Sequence, residues 1–184
     1  MSKHTESSPM SASYKIIIAG PVGVGKTEAI RSLSDKEIVS TEALASDEVK
    51  FMKKTTTVAM DYGIMKLDNG EQVRLYGTPG QKRFDFMWEI LSENALGLIL
   101  LINAENPDPV KDLEEYLHSF IPLVQSSALV VGVTHAENMP WDLQQKLSDY
   151  LMQNDLPANV VTVDARSREH MQGLVSSLIF AISG

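Results

Sequence analysis

An apolar run at residues 14–19 leads straight into Gly-Pro-Val-Gly-Val-Gly-Lys-Thr at 20–27, and a stretch of helical length, 28–33, follows at once. These eight residues match the spacing G-x-x-x-x-G-K-[ST] in full, in the strand–loop–helix setting that the motif requires. Glycines in such a loop let successive backbone N–H groups turn inward around a phosphate, and the helix N-terminus behind them adds partial positive charge. Gly20, Val22, Gly23, Val24 and Gly25 form the backbone cradle, Lys26 neutralises β- and γ-phosphate oxygens, and the Thr27 hydroxyl is a ligand for Mg²⁺. The stretch therefore predicts a nucleoside triphosphate or diphosphate ligand, carried on an α/β fold that opens with a strand.

The rest of the chain keeps to that scheme. Short apolar runs recur at 96–103, 128–133 and 160–163, each followed by a segment with helical spacing or length. Such alternation reads as a parallel sheet with helices on both faces. One pair departs from it: 58–67 and 71–77 flank Asp68-Asn69-Gly70, and Asn-Gly is a strong two-residue hairpin signal. The expected fold is α/β, a six-stranded, mostly parallel sheet with one antiparallel edge strand. A two-residue loop sets Asp68 against Glu71, hence Tyr62 against Gly77 and Asp61 against Thr78.

Length and composition narrow the partners. With 184 residues, the chain suits a single domain, expected over 14–184, behind a polar N-terminal tail at 1–13. A formal net charge of −8, with no basic run longer than two residues, would repel a nucleic-acid backbone. The absence of cysteine excludes disulfides and thiolate chemistry and fits a reducing cytoplasm. No apolar run is long enough to span a bilayer, and neither a signal-peptide core nor a lipidation motif is visible, so direct membrane insertion is not expected.

A phosphate loop alone does not choose among kinases, ATPases and GTPases; the segments downstream do. Thr-Pro-Gly-Gln-Lys-Arg-Phe at 78–84 resembles the second switch of Ras-like small GTPases, and Thr-Thr-Thr-Val-Ala-Met-Asp-Tyr-Gly at 55–63 resembles the end of the first. The resemblance implies a P-loop NTPase fold. It also implies that Gly80 meets the γ-phosphate, Gln81 orients the attacking water, and Thr57 gives Mg²⁺ a second hydroxyl beside Thr27. Thr134, His135 and Glu137 stand where such proteins read guanine, and Asp164, Ala165 and Arg166 stand where they close over the base. Bacterial small GTPases of the MglA type and the conservon type are the most similar in pattern. That likeness implies GTP and GDP as ligands, Roadblock-type regulators, and roles in bacterial signalling, polarity or motility.

Several positions depart from the family pattern. Gly77 replaces an aspartate that holds a Mg²⁺-bound water, and the hairpin arithmetic turns Asp61 away from that place. Val22 replaces a glycine, and two readings fit it: crowding of the attacking water, which predicts slow turnover, or neighbouring geometry that accommodates the valine. Glu137 keeps two acceptor oxygens for the guanine N1–H and amino group, a pair that adenine does not offer. No motif contains a catalytic arginine, and Arg83 stands where surface ion pairs are common. Phe84, Met87, Trp88 and Leu91 form a helical stripe for packing on the sheet, leaving Phe86 and Ile90 outside it. The aliphatic face of Met171, Leu174, Leu178 and Ile179 reads as core, and the charges at 112–116 as a solvated face. Two functions fit: a slow GTP-hydrolysing switch, or a nucleotide-binding scaffold that hydrolyses little.

Overall fold

The computed structural model describes residues 13–40, 60–79 and 85–183. Seven strands form one sheet: β1 (Ser13–Ala19), β2 (Val39–Ser40), β3 (Asp61–Lys66), β4 (Gln72–Gly77), β5 (Gly97–Asn103), β6 (Ala128–Thr134) and β7 (Asn159–Thr162). Their spatial order is β2-β3-β4-β1-β5-β6-β7. All pairs from β4 to β7 are parallel, and β3 runs antiparallel to both neighbours. The six expected strands are present, and the two-residue β2 extends the antiparallel edge.

Burial on both faces explains the unbroken apolar runs. In β5 every residue from Gly97 to Ile102 is buried, and in β6 all residues are, as for parallel strands covered on both sides. Alternate residues of β1 feed two cores. Ile16 and Ile18 pack with α1 (Lys26–Leu33) and α6 (Arg168–Ser183), where Met171, Leu174 and Leu178 are buried. Ile17 and Ala19 face the opposite layer, built from α2 (Asp85–Ser92), α3 (Pro109–Ser119), α4 (Ile121–Ser126) and α5 (Leu143–Gln153). Met87, Trp88 and Leu91 are buried as the stripe predicts, while Phe86 is half exposed at 50%; Phe84 lies outside the described residues. Trp88 stacks on Tyr116 and Phe120 at centroid distances of 5.1 and 5.2 Å, and its indole N–H donates to the Pro79 carbonyl at 3.2 Å. These contacts fasten α2 to the segment leaving β4.

The hairpin between β3 and β4 corrects the expected register. Asp61 pairs with Gly77 and Tyr62 with Tyr76, one residue away from the arithmetic of a two-residue loop. Leu67 N–H donates to the Glu71 carbonyl at 2.8 Å, so the loop holds three residues, Asp68 to Gly70. Gly70 adopts a left-handed φ of 85°, whereas Asn69 is not among the residues of positive φ. A type I′ turn needs positive φ at both centres; a three-residue loop needs it at its last residue. The Asn69 side chain is instead spent on Glu71, accepting its backbone N–H at 3.0 Å and donating to its carboxylate at 2.9 Å.

Candidate functional site

The phosphate loop joins β1 to α1 as expected. Glycine at position 20 is required by a close approach, because a Cβ there would run into the Leu101 carbonyl. Gly25 precedes α1 with φ of 111° and no side-chain cap, so the first N–H groups of the helix stay available to an anion. Lys26 Nζ donates to the carbonyls of Gly20 at 2.6 Å and Pro21 at 2.8 Å. Burial pulls its pKa down to about 8, opposed by the negative charge of Asp61. Val24 is buried beneath the loop, and Val22 is 66% exposed on its rim.

The C-terminal end of β6 is tied to this loop at two points. The buried Thr134 hydroxyl donates to the Val24 carbonyl at 2.8 Å. His135, held at φ of 53°, sends Nε2 to the Gly23 carbonyl at 3.2 Å. Because a carbonyl only accepts, this contact fixes the proton on Nε2. Glu137 follows on a 3₁₀ turn, Ala136–Asn138. A cavity of about 650 Å³ opens between the phosphate loop, this turn and the β7–α6 connection. Gly23, Gly25, Thr134, Glu137, Asp164 and Ala165 are among its lining residues, and its size suits a nucleoside.

On the far side of the cavity, Arg166 folds back onto Asp164. Its Nε and Nη2 each lie 3.0 Å from a carboxylate oxygen, and its backbone N–H donates to the same group at 2.9 Å. The side-chain pairing comes first among the causes that hold the Asp164 carboxyl down to about 2. The Asp164 N–H donates to His170 Nδ1 at 3.0 Å, which anchors the connection to α6. Ala165 is buried against the loop, 3.0 Å from where a Cβ of residue 25 would stand.

The structure brings together Gly20, Val22, Gly23, Val24, Gly25, Lys26, Thr27, Thr134, His135, Glu137, Asp164, Ala165 and Arg166 around one phosphate loop and its cavity. Gly80, Gln81 and Thr57 lie outside the described residues. Two acidic residues enter that the sequence reading left out or turned away. Glu28, in the first turn of α1, lines the cavity. Asp61, which the hairpin arithmetic pointed elsewhere, accepts a hydrogen bond from the Thr27 hydroxyl at 2.5 Å. Among the described residues, no group of three or more His, Cys, Asp or Glu side chains is arranged to hold a metal ion. Thr27 and Asp61 nonetheless offer hard oxygen donors side by side, and Mg²⁺ needs one or two such groups when phosphates and water complete its shell. The donor chemistry therefore fits Mg²⁺.

Strand order, phosphate loop and the loop from β6 together define a nucleotide-binding domain of the Ras-like GTPase superfamily. More narrowly, the chain belongs to the family described as Conserved hypothetical ATP binding protein, which it matches over residues 35–183. An uncharacterized protein of Methanocaldococcus jannaschii is 29% identical over 119 residues, covering 65% of this chain and 66% of that protein. The Intraflagellar transport protein 22 homolog of Danio rerio is 26% identical over 64% of each chain. Ras-related protein Rab-11B of Dictyostelium discoideum is 27% identical over 58% of this chain and 44% of its own. The matched segments thus span less than two thirds of these relatives' own lengths. A bacterial selenocysteine-specific elongation factor, EF-Sec, has the same fold, with TM-score 0.67 over 94% of this chain and 29% of that structure, at 19% identity. Among the described residues, no helix is long and apolar enough to cross a membrane.

Proposed function

We propose that the protein is a GTP-binding switch that holds GTP or GDP with Mg²⁺, hydrolyses GTP slowly, and changes its affinity for a partner as it does so. The observation that carries this reading is the fastening of the β6 loop to the phosphate loop through Thr134 and His135. That fastening ties the start of the turn that carries Glu137 to the phosphate loop, and Glu137 is among the residues lining a nucleoside-sized cavity. Two acceptor oxygens there complement the N1–H and amino donors of guanine and leave adenine without a matching pair. The Intraflagellar transport protein 22 and Rab-11B relatives support the switch reading.

In this role the loop N–H groups and Lys26 bind phosphate oxygens, and Thr134 and His135 keep the loop in its binding shape. Mg²⁺ neutralises phosphate charge when bound, and Thr27 with Thr57 would hold it. Gln81 orients the attacking water, and Gly80 reports whether the γ-phosphate is present. The departure from the Ras pattern at Val22 supports slow turnover. Roadblock-type regulators and a place in bacterial signalling, polarity or motility complete the proposal, on the likeness to MglA-type proteins.

A direct test is competition binding of GDP, GTP and ATP to the purified chain, repeated with Glu137→Ala. Guanine nucleotides are expected to win by at least about 100-fold, and the variant to lose most of that preference, since a site built to pair donors rejects ligands that lack them. An ATP preference in the wild-type chain would sink the guanine reading and favour the activity that the family description names. A scaffold is the second reading, favoured by the exposed Val22 on the loop rim. It predicts nucleotide binding with no phosphate release from GTP, unchanged by Gln81→Ala.

A further inference from the structure

We infer that Asp61, on β3, supplies the carboxylate of the Mg²⁺ site that Gly77, on β4, lacks. This rests on the nucleotide-binding reading above and adds to it the identity of an acidic group. The register places Asp61 directly opposite Gly77, and directly opposed residues on neighbouring antiparallel strands present their side chains to the same face. A Cβ built on Gly77 would lie 3.7 Å from the Asp61 Cβ. A carboxylate on either strand thus enters the same space from adjacent Cα positions. Asp61 already reaches the metal-binding hydroxyl, taking a hydrogen bond from Thr27 Oγ1 at 2.5 Å.

Packing explains why the acid sits on β3 and a glycine on β4. Ile30, on the inner face of α1, is fully buried, and its Cδ1 lies 2.7 Å from where a Cβ of residue 77 would be. No side chain enters at 77 unless that methyl group moves. Two carboxylates at once would repel each other across a few ångströms. The pair therefore acts as one unit: Gly77 makes room for Ile30, and Asp61 brings the charge from the neighbouring strand. Thr27 and Asp61, with phosphate oxygens and water, meet the preference of Mg²⁺ for hard oxygen donors and one or two carboxylates.

The test follows dissociation of a fluorescent GDP from the full chain in Mg²⁺ and in EDTA, with Mn²⁺ binding to the GDP-loaded protein measured by electron paramagnetic resonance. In the wild type, Mg²⁺ should slow dissociation. Asp61→Asn should weaken apparent Mg²⁺ and Mn²⁺ affinity about tenfold or more, read as a smaller ratio between the rates in EDTA and in Mg²⁺. Asp61→Ser carries the same expectation by a second route, and circular dichroism of each variant checks the fold. In the triple variant Ile30→Val, Asp61→Gly and Gly77→Asp, removal of Cδ1 opens position 77, and Mg²⁺ sensitivity should return. Gly77→Asp and Asp61→Gly without Ile30→Val should not restore it. Retention of Mg²⁺ affinity within about twofold in Asp61→Asn and Asp61→Ser would overturn the inference while leaving the switch intact. GDP release that ignores Mg²⁺ in the wild type would overturn it as well. A wild-type chain that binds no guanine nucleotide would overturn both.

Discussion

At the scale of single residues, the site depends on side chains that hold the phosphate loop as much as on those that face a ligand. Thr134 is buried, with its hydroxyl spent on the Val24 carbonyl. Thr134→Val keeps the volume and removes the donor, leaving that carbonyl short of a partner at a cost of about 1–3 kcal/mol. Denaturant melts should show a lower midpoint with unchanged slope, and nucleotide affinity should fall in the same variant, because the loop it steadies is the binding surface. Equal affinity in the two proteins would mean that the loop keeps its shape without the bond. The residues most legible in the sequence are those whose roles are local. Gly20 to Thr27 follow one another along the chain, and the motif spacing is itself the geometry. Asp61 was not legible in the same way, because its place depends on a pairing partner sixteen residues downstream and on the turn between them. A one-residue change of loop length moves every side chain of β3 to the other face, and Asn-Gly signals a tight turn without stating its length.

Between elements, the end of α1 is stitched to the edge of the sheet by a cluster that no motif announced. Asp35 accepts the Lys66 N–H at 2.6 Å and an Arg168 guanidinium N–H at 2.6 Å, while its own N–H donates to the Ile64 carbonyl at 2.8 Å. Ser34 Oγ accepts the Ile64 N–H at 3.1 Å. One short segment thus joins α1, β3 and α6 at the end of α1 away from the phosphate loop. The Lys66 N–H, followed by Arg168, holds the Asp35 carboxyl below the usual carboxylate range. The sign follows from that direction. The folded pKa lies below the unfolded value, so the contribution to stability is present above an ordinary carboxylate pKa of about 4 and is lost as pH falls through the folded value. Asp35→Asn should therefore lower the melting temperature at pH 7, by the equivalent of about 1 kcal/mol for a partly exposed pair, and the gap should narrow as pH drops toward 3. A gap that stays constant with pH would show that shape, not charge, is what Asp35 contributes. Such a cluster escapes a sequence reading because Asp35, Lys66 and Arg168 meet through three elements far apart in the chain, each looking in isolation like an ordinary surface charge.

For the molecule as a whole, the alternation of apolar runs and helical segments was enough to read a mostly parallel sheet with helices on both faces, because parallel strands buried on both faces leave an unmistakable apolar signature in the sequence. The two-residue β2 carries no such signature and adds to the edge only where Val39 meets Tyr62 and Ser40 meets Asp61. What the fold accomplishes with this order is to bring loops from β1 and β6 and the β7–α6 connection to one cavity, with the start of β3 against the Thr27 hydroxyl at the loop's end. A nucleotide seated there would bridge segments more than a hundred residues apart, so its binding energy should appear as stability of the entire domain rather than of one loop. A ligand at a thousandfold excess over its Kd adds about 4 kcal/mol. At about 2–4 °C per kcal/mol for a domain of this size, the melting temperature should rise by roughly 8–16 °C. Thermal melts should rank GDP with Mg²⁺ above GDP with EDTA, and both above ATP with Mg²⁺, whose base lacks the paired N1–H and amino donors that Glu137 is proposed to accept. Were ATP with Mg²⁺ to give the largest shift, the Glu137 carboxylate would not be reading the base at all. Glu28, Asp164 and Arg166, further charged groups on the cavity wall, would then be the next positions to substitute, because an adenine amino group is a donor that the carboxylates of Glu28 and Asp164 could accept.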